Sequence, residues 1–350
     1  MNLGQALRIH RDQGRSRAVI EDWLRPSAAE GELVIRTRYS AVNYKDALAG
    51  TGRGPLIKTH PRIGGIDCVG EVEISRSPLF REGDLVMVSS GALGISHDGG
   101  YATWVCVPAD WVLPLPPGLG PFEAIAIGTA GLSAALAIHR LRHNGQTPDR
   151  GPLVVTGATG GVGCLAIDML GDLDYEVVAV TRKPHVEPFL RGLGVKRLIT
   201  PGQIAPGERP LESACWAGAI DTVGGAVLAA LMRTLMPNGN IASIGLAGGS
   251  ELHTTVMPFI LRGINLLGID TAGCPQELRK RLWERLGSDL KPLHLKDIVC
   301  QTIPLEQLSE TFERVLAGRH VGRILVQFDD EGSKSMVHQG ESRVSESNFS

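Results

Sequence analysis

The sequence has no paired cysteines. Its six, Cys68, Cys106, Cys164, Cys215, Cys274 and Cys300, are scattered singly, and neither CxxC nor CxC occurs. That spacing excludes a disulfide framework and a clustered zinc site, and it fits reduced thiols in a cytoplasmic protein. An excess of one charge is also missing. The chain has 35 Lys and Arg against 37 Asp and Glu, a formal net charge of −2. This balance gives no electrostatic ground for nucleic acid or a membrane surface as partner. No run approaches the ~20 consecutive apolar residues that span a bilayer. No apolar core follows the charges of the opening MNLGQALRIHRDQGRS either, so no signal peptide is expected. What remains is a globular composition, 43% hydrophobic and 21% charged, in 350 residues, which is too long for one ordinary core.

Two patterns divide the chain. From Ala6 to about Pro121 the apolar runs are short and bounded by Gly, Pro, Asn or Asp, as in Glu32–Tyr39, Asp84–Ser89 and Tyr101–Pro108. Such punctuation predicts an antiparallel barrel or roll. Phe122–Leu141 then carries Ala, Ile and Leu at helical spacing. After it, the strands Leu153–Thr156, Glu176–Val180, Gly218–Asp221, Asn240–Ile244 and Ile264–Ile269 alternate with helices from about Cys164 and over Val227–Leu235. Alternation of this kind predicts βαβ units around a parallel sheet. Beyond Asp270 come a helix over about Pro275–Leu290 and a last strand, Arg323–Phe328, expected to return to the first domain. The predicted division is 1–122 with 271–328 as a mostly β domain, 123–270 as an inserted α/β domain, and 329–350 as a polar, disordered tail.

The sharpest motif is Val154-Val155-Thr156-Gly157-Ala158-Thr159-Gly160-Gly161-Val162-Gly163, with a buried strand before it and the apolar CLAIDML after it. A strand–glycine turn–helix order is the context of a dinucleotide fingerprint. The glycines at 157, 160 and 163 serve a tight turn, close backbone approach to pyrophosphate and close helix–strand packing. The helix start offers free N–H groups to phosphate. An NAD-specific site places an acid at the end of the next strand, about 20 residues on. Here that strand runs into Thr181-Arg182-Lys183, with Lys196-Arg197 further along. Cations and a hydroxyl at that point suit a ribose 2′-phosphate, and NADPH is the expected cofactor.

A β domain, an inserted doubly wound Rossmann domain and a returning strand together resemble the medium-chain dehydrogenase/reductase superfamily. The resemblance implies an α/β fold in which the Rossmann parallel sheet is inserted in a GroES-like, mostly β catalytic domain. Zinc alcohol dehydrogenases of that superfamily carry a ligand Cys after an early strand and a Gly-His-Glu motif beyond it. The matching stretches here read Ser40-Ala41-Val42-Asn43-Tyr44-Lys45-Asp46 and Gly64-Gly65-Ile66-Asp67. Without a thiolate or imidazole set, a catalytic zinc is not expected. Within the zinc-free, quinone-oxidoreductase branch the chain is similar to the YhdH-type acryloyl-CoA reductases (NADPH). The likeness covers residues 5–328 and rests on Asn43–Leu48, Gly128–Gly131, the Gly157–Gly163 turn, Trp216–Gly224, Gly245–Gly249 and Thr254–Arg262. It departs at His97-Asp98-Gly99-Gly100.

The resemblance implies reduction of an α,β-unsaturated acyl-CoA, by hydride transfer to the β-carbon and protonation of the resulting enolate. It implies that Tyr44, Thr159, Gly160, Gly161, Val162, Thr181, Arg182, Lys183, Arg197 and Leu246 contact NADPH, beside Gly157 and Gly163. Tyr44 and Asn43 are the catalytic candidates, Tyr44 as a donor to the thioester or of the proton, and Asn43 as an orienting group. Asp46, Asp67 and Asp221 read as structural and His97 as a loop residue. Arg53, Lys58, Arg62, Arg262 and Arg323 are candidate cations for the phosphates of coenzyme A. A homodimer is expected. Two other readings share the fold: an NADPH:quinone or general enal/enone reductase, and a catalytically idle NADPH-binding sensor or scaffold.

Overall fold

The computed structural model describes residues 3–12, 14–205 and 207–328; the tail expected from Asp329 onward lies outside them. β1 (Leu3–Asp12) and β2 (Arg15–Leu24) form an antiparallel hairpin. β1 turns Leu7 and Ile9 inward and leaves Arg8 and His10 half-exposed, the two-residue alternation of a half-buried strand. β3 (Glu32–Val42) leads into helix α1 (Tyr44–Thr51). β4 (Arg62–Ile63) joins the edge of β1, and β5 (Asp67–Ser75), β6 (Leu85–Ser89), β7 (Trp104–Pro108) and β8 (Leu113–Pro114) follow. β3 is the hub. It pairs antiparallel with β5 along one side and with β7 along the first half of the other.

Helix α2 (Pro121–His143) joins the two halves. By length and composition it could cross a membrane, although no uninterrupted apolar run is present, because Gly, Thr and Ser break the run without lowering its mean hydropathy much. In this fold 78% of its most apolar window is buried. It packs against β3 and β5 on one side and α3 on the other, within a single core cluster that spans both sheets.

The second half is a parallel sheet. β9 (Leu153–Val155), α3 (Gly161–Asp172), β10 (Val177–Val180), α4 (Glu187–Gly192), β11 (Arg197–Ile199), β12 (Trp216–Asp221), α5 (Gly225–Thr234), β13 (Leu235–Ser243), α6 (Met257–Arg262) and β14 (Asn265–Gly268) succeed one another. The sheet order β11-β10-β9-β12-β13-β14 is the doubly wound 3-2-1-4-5-6 arrangement. Its inner strands β9, β10 and β12 are wholly buried and rich in Val, Ile and Ala, as a sheet covered on both faces requires. The chain returns through α7 (Gln276–Leu286), α8 (Leu295–Ile298), β15 (Val299–Ile303), α9 (Leu308–Leu316) and β16 (Arg323–Gln327). β16 pairs antiparallel with β3, placing Leu325 opposite Ala41, so the last strand completes the sheet of the first half.

Several limits differ from the sequence reading, among them the starts of α3 and β13. α3 begins at Gly161 rather than near Cys164, because the glycine turn itself supplies the first helical residues. β13 begins at Leu235 rather than Asn240, since Leu235 already pairs with Trp216 and the register shifts across Met236–Gly239, where Asn238 has φ +58°.

Candidate active site

The strand order reverses between β9 and β12, and the C-terminal ends of a doubly wound sheet open a crevice at that point. A cleft of about 770 Å³ lies there. The segments that follow β9, β10, β12, β13 and β14 form one wall; α1, Thr129 of α2 and the turn into β16 form the other. Asn43, Tyr44, Gly157, Thr159, Gly160, Gly161, Val162, Gly163, Thr181, Arg182, Lys183 and Leu246 all line it.

The glycine turn is shaped by what a side chain would strike. Gly157 has φ +58°, and a Cβ there would drive into the Thr222 hydroxyl. A Cβ at Gly163 would meet the Gly157 carbonyl and stand 2.9 Å from the Ala158 Cα. The turn closes with Gly160 N–H on the Gly157 carbonyl at 2.9 Å, and Cys164 N–H on the Gly160 carbonyl begins α3. The first N–H groups of α3 therefore face the cleft without intrahelical partners. Such a cradle fits a pyrophosphate. Beside it, Thr181 is buried and its Oγ1 accepts from Lys183 N–H at 3.0 Å, while Arg182 is exposed at the rim. Lys183 Nζ stands 3.3 Å from Thr159 Oγ1 and donates to the His320 carbonyl. Among the described residues no carboxylate lines this corner.

Arg197 is not brought to the cleft. It opens β11, at the opposite end of a parallel strand from the crevice, and its guanidinium lies over the Trp216 ring, 5.1 Å from the centroid.

Beneath Tyr44 lies a buried polar network. Asn43 caps α1; Asp46, three residues on, takes the Asn43 N–H at 3.0 Å with Oδ2 and the Ile66 N–H at 3.0 Å with Oδ1. Asn43 Nδ2 donates to Asp46 Oδ2 at 3.0 Å and to Asp67 Oδ2 at 2.8 Å, and its Oδ1 accepts from Arg323 Nη1 at 3.0 Å. Asp67 Oδ1 accepts from Thr129 N–H and Oγ1, at 2.8 and 2.7 Å. Arg323, 2% exposed, faces Asp67 at 3.8 Å and donates Nε to the Ala126 carbonyl at 2.9 Å. Burial, reinforced by the nearby Asp67 charge, pushes Asp46 up to about 7. Burial also raises Asp67, against the pull of Arg323 and of Thr129. One guanidinium thus serves two enclosed carboxylates, and one of the two carries a proton more readily than a surface acid does.

This network corrects two sequence expectations and gives a third residue its reason. Both donors of the Asn43 amide are engaged, so it fixes α1 and Tyr44 rather than orienting a substrate itself. Arg323 is enclosed and holds the loop together, so it is no surface cation for coenzyme A. Gly128 was read only as part of a matched segment, yet it interrupts α2 at φ +48° and ψ −155°, where a Cβ would stand 2.9 Å from both Arg323 Nη2 and Asp67 Oδ2. The other expected cations are engaged elsewhere or lie off the cleft. Arg53 pairs with Glu313, Arg62 with Asp98, and Arg262 donates to the carbonyls of Arg233 and Leu235; Lys58 is exposed. His97 packs edge-on against Trp111 and is not among the cleft residues. Asp221 is structural as read, bound by Thr156 Oγ1 at 2.6 Å and Gly224 N–H at 2.8 Å. Lys45, next to Tyr44 on α1, does line the cleft, as do Ser90, Asp270, Thr271 and His320. Sequence reasoning passed over all five.

The chain matches the family model of the alcohol dehydrogenase GroES-like domain over residues 29–117 and that of the zinc-binding dehydrogenase over residues 161–288. It is 40% identical to the acrylyl-CoA reductase AcuI of Ruegeria pomeroyi, over 92% of this chain and 98% of that one. It is 44% identical to the putative quinone oxidoreductase YhfP of Bacillus subtilis, over 84% and 90% of the two chains. The crystal structure of YhfP with NAD bound superposes with a TM-score of 0.89, covering 94% of this chain and all of that one. YhdH of Escherichia coli K-12, crystallised with NADPH, superposes equally well at 39% identity, covering 93% and 100%. The donor set does not fit the zinc that the second model's description names. Among the described residues no three His, Cys, Asp or Glu side chains are grouped to hold a metal, and residues 40–46 and 64–67 contain neither Cys nor His. The chain belongs to the medium-chain dehydrogenase/reductase superfamily, in the branch that holds the acrylyl-CoA reductases and the YhdH-type quinone oxidoreductases.

Proposed function

We propose that this protein reduces the C=C bond of an α,β-unsaturated acyl-CoA with NADPH, most specifically acryloyl-CoA to propanoyl-CoA. The observation that carries the reading is the cleft, with a glycine cradle and a basic Thr181-Arg182-Lys183 corner at one end and Tyr44 at the other, in a chain similar over nearly its whole length to a reductase of that name. NADPH supplies the hydride when bound. The chain holds it: Gly157–Gly163 and the start of α3 take the pyrophosphate, while Thr181, Arg182 and Lys183 take the 2′-phosphate. Tyr44, at the first position of α1, donates to the thioester carbonyl or returns the proton to the α-carbon. Asn43, Asp46, Asp67 and Arg323 hold Tyr44 in place. Hydride at the β-carbon and a proton at the α-carbon balance the reaction, and no step uses a metal.

The reading includes a cytoplasmic homodimer divided as 1–122 with 271–328 and 123–270. Six free cysteines suit a reducing compartment. β14 is a sheet edge, and Val256, Met257, Ile260 and Leu261 of the adjacent segment are exposed, a surface suited to a second copy. The name of the B. subtilis relative favours a second substrate reading, a quinone. Following NADPH oxidation with acryloyl-CoA and with a simple quinone separates the two. Turnover of the thioester is the expected result. Quinone turnover without thioester turnover would transfer the assignment, and NADPH binding with no turnover of either would leave an idle nucleotide-binding protein.

A further inference from the structure

The turn Gly318–Gly322 belongs to the returning chain, not to the parallel sheet, yet it forms part of the nucleotide corner. Gly322 N–H donates to the Thr159 carbonyl of the glycine turn at 2.9 Å. Lys183 Nζ donates to the His320 carbonyl. Arg182 reaches the same turn, its Nη2 lying 3.8 Å from where a Cβ on Gly318 would stand. His320 lines the cleft with them.

The His320 ring is odd in this setting. Its Nδ1 is buried and has no hydrogen-bond partner among the described residues, whereas a buried ring nitrogen ordinarily has one. The charges acting on the ring are Lys183 from the turn after β10, Arg314 from α9 and Arg323 from β16, all cationic. Burial first, and then these three, push the imidazole down to about 4, so the ring is neutral at physiological pH. A phosphate dianion held by Arg182 and Lys183 reverses the sign of the local field, and the charged ring can then donate to it from the side that lines the cleft.

We infer that His320 is a further ligand of the nucleotide's 2′-phosphate, beside Thr181, Arg182 and Lys183, and that it takes up a proton from solvent when that phosphate binds. The inference rests on the NADPH reading above and adds a residue from the catalytic half of the chain to cofactor selection. NADPH and NADH are titrated onto the full chain by nicotinamide fluorescence between about pH 6 and 8, with calorimetry in two buffers of different ionisation enthalpy. NADPH binding is expected to tighten as pH falls and to take up protons; NADH binding is expected to do neither. The phosphate itself titrates near ~6, so the comparison is with His320→Gln, which keeps a donor but cannot titrate. That variant is expected to hold NADPH with a smaller proton uptake and a flatter pH dependence. His320→Ala is expected to weaken NADPH about tenfold and leave NADH unchanged. A His320→Gln protein with the wild-type proton count, or a His320→Ala protein that loses both nucleotides equally, overturns the inference. If the wild-type protein binds NADH as tightly as NADPH, it is the cofactor reading that fails, and the two failures are told apart by that comparison alone.

Discussion

Arg323→Met is expected to remove about 3–5 kcal/mol of folding stability, the range for breaking a buried charge pair from one side. Every hydrogen bond of this guanidinium stays within the chain, although the residue also lines the cleft. Its loss removes the donor to the Ala126 carbonyl and to Asn43 Oδ1, and it leaves Asp46 and Asp67 enclosed without their nearest counter-charge. Methionine fills much of the volume, so the effect isolates charge and hydrogen bonding from packing. The double variant Arg323→Met, Asp67→Asn is expected to recover part of the loss, because it removes the uncompensated carboxylate. Urea denaturation of wild type, both single variants and the double completes the cycle. Equal stability of wild type and Arg323→Met would show that the network is not what holds α1 and the kinked α2 together.

The second large effect concerns nucleotide choice. Arg182→Ala and Lys183→Ala are each expected to weaken NADPH by about 10- to 100-fold, the cost of one charge-assisted hydrogen bond to phosphate. Both should leave NADH within about threefold, since the adenosine ribose of NADH offers hydroxyls and no charge. Lys183 is tied to Thr159 and to the turn before β16. Its loss should therefore also loosen that turn, and Arg182→Ala is the cleaner of the two. Fluorescence titrations with both nucleotides read the ratio directly. A parallel loss of NADH and NADPH would place these side chains on the pyrophosphate and remove the argument for NADPH selectivity.

These expectations differ in how far they could be read from sequence. The glycine turn was legible because its chemistry is local: a strand, a turn that excludes Cβ atoms and a helix start lie within a dozen residues. So was the Thr181-Arg182-Lys183 corner, which needs only the end of the next strand. Arg197 was assigned to NADPH by resemblance, and strand direction separates it from the site: a residue opening β11 lies away from the crevice that the strand's other end faces. The Asn43–Asp46–Asp67–Arg323 network was not legible. Its members come from α1, β5 and β16, and the carbonyl it satisfies comes from α2. Arg323 accordingly read as a surface cation, although its segment was correctly expected to return to the first sheet. Arg53 and Arg62 read as free for the same reason, since their partners Glu313 and Asp98 are set by tertiary contact. β1 and β2 escaped notice because their apolar residues stand in runs of no more than three among charged ones. His320 carries no motif at all.

The central claim is hydride delivery to the β-carbon of an activated thioester held in this cleft. It is tested most directly with NADPH deuterated at nicotinamide C4, acryloyl-CoA and the wild-type protein in ordinary water, with the product analysed by mass spectrometry and NMR. Propanoyl-CoA with a single deuterium at C3 and a solvent proton at C2 is the expected product. Deuterium at C2, or oxidation of the nucleotide with no saturated thioester formed, would contradict it.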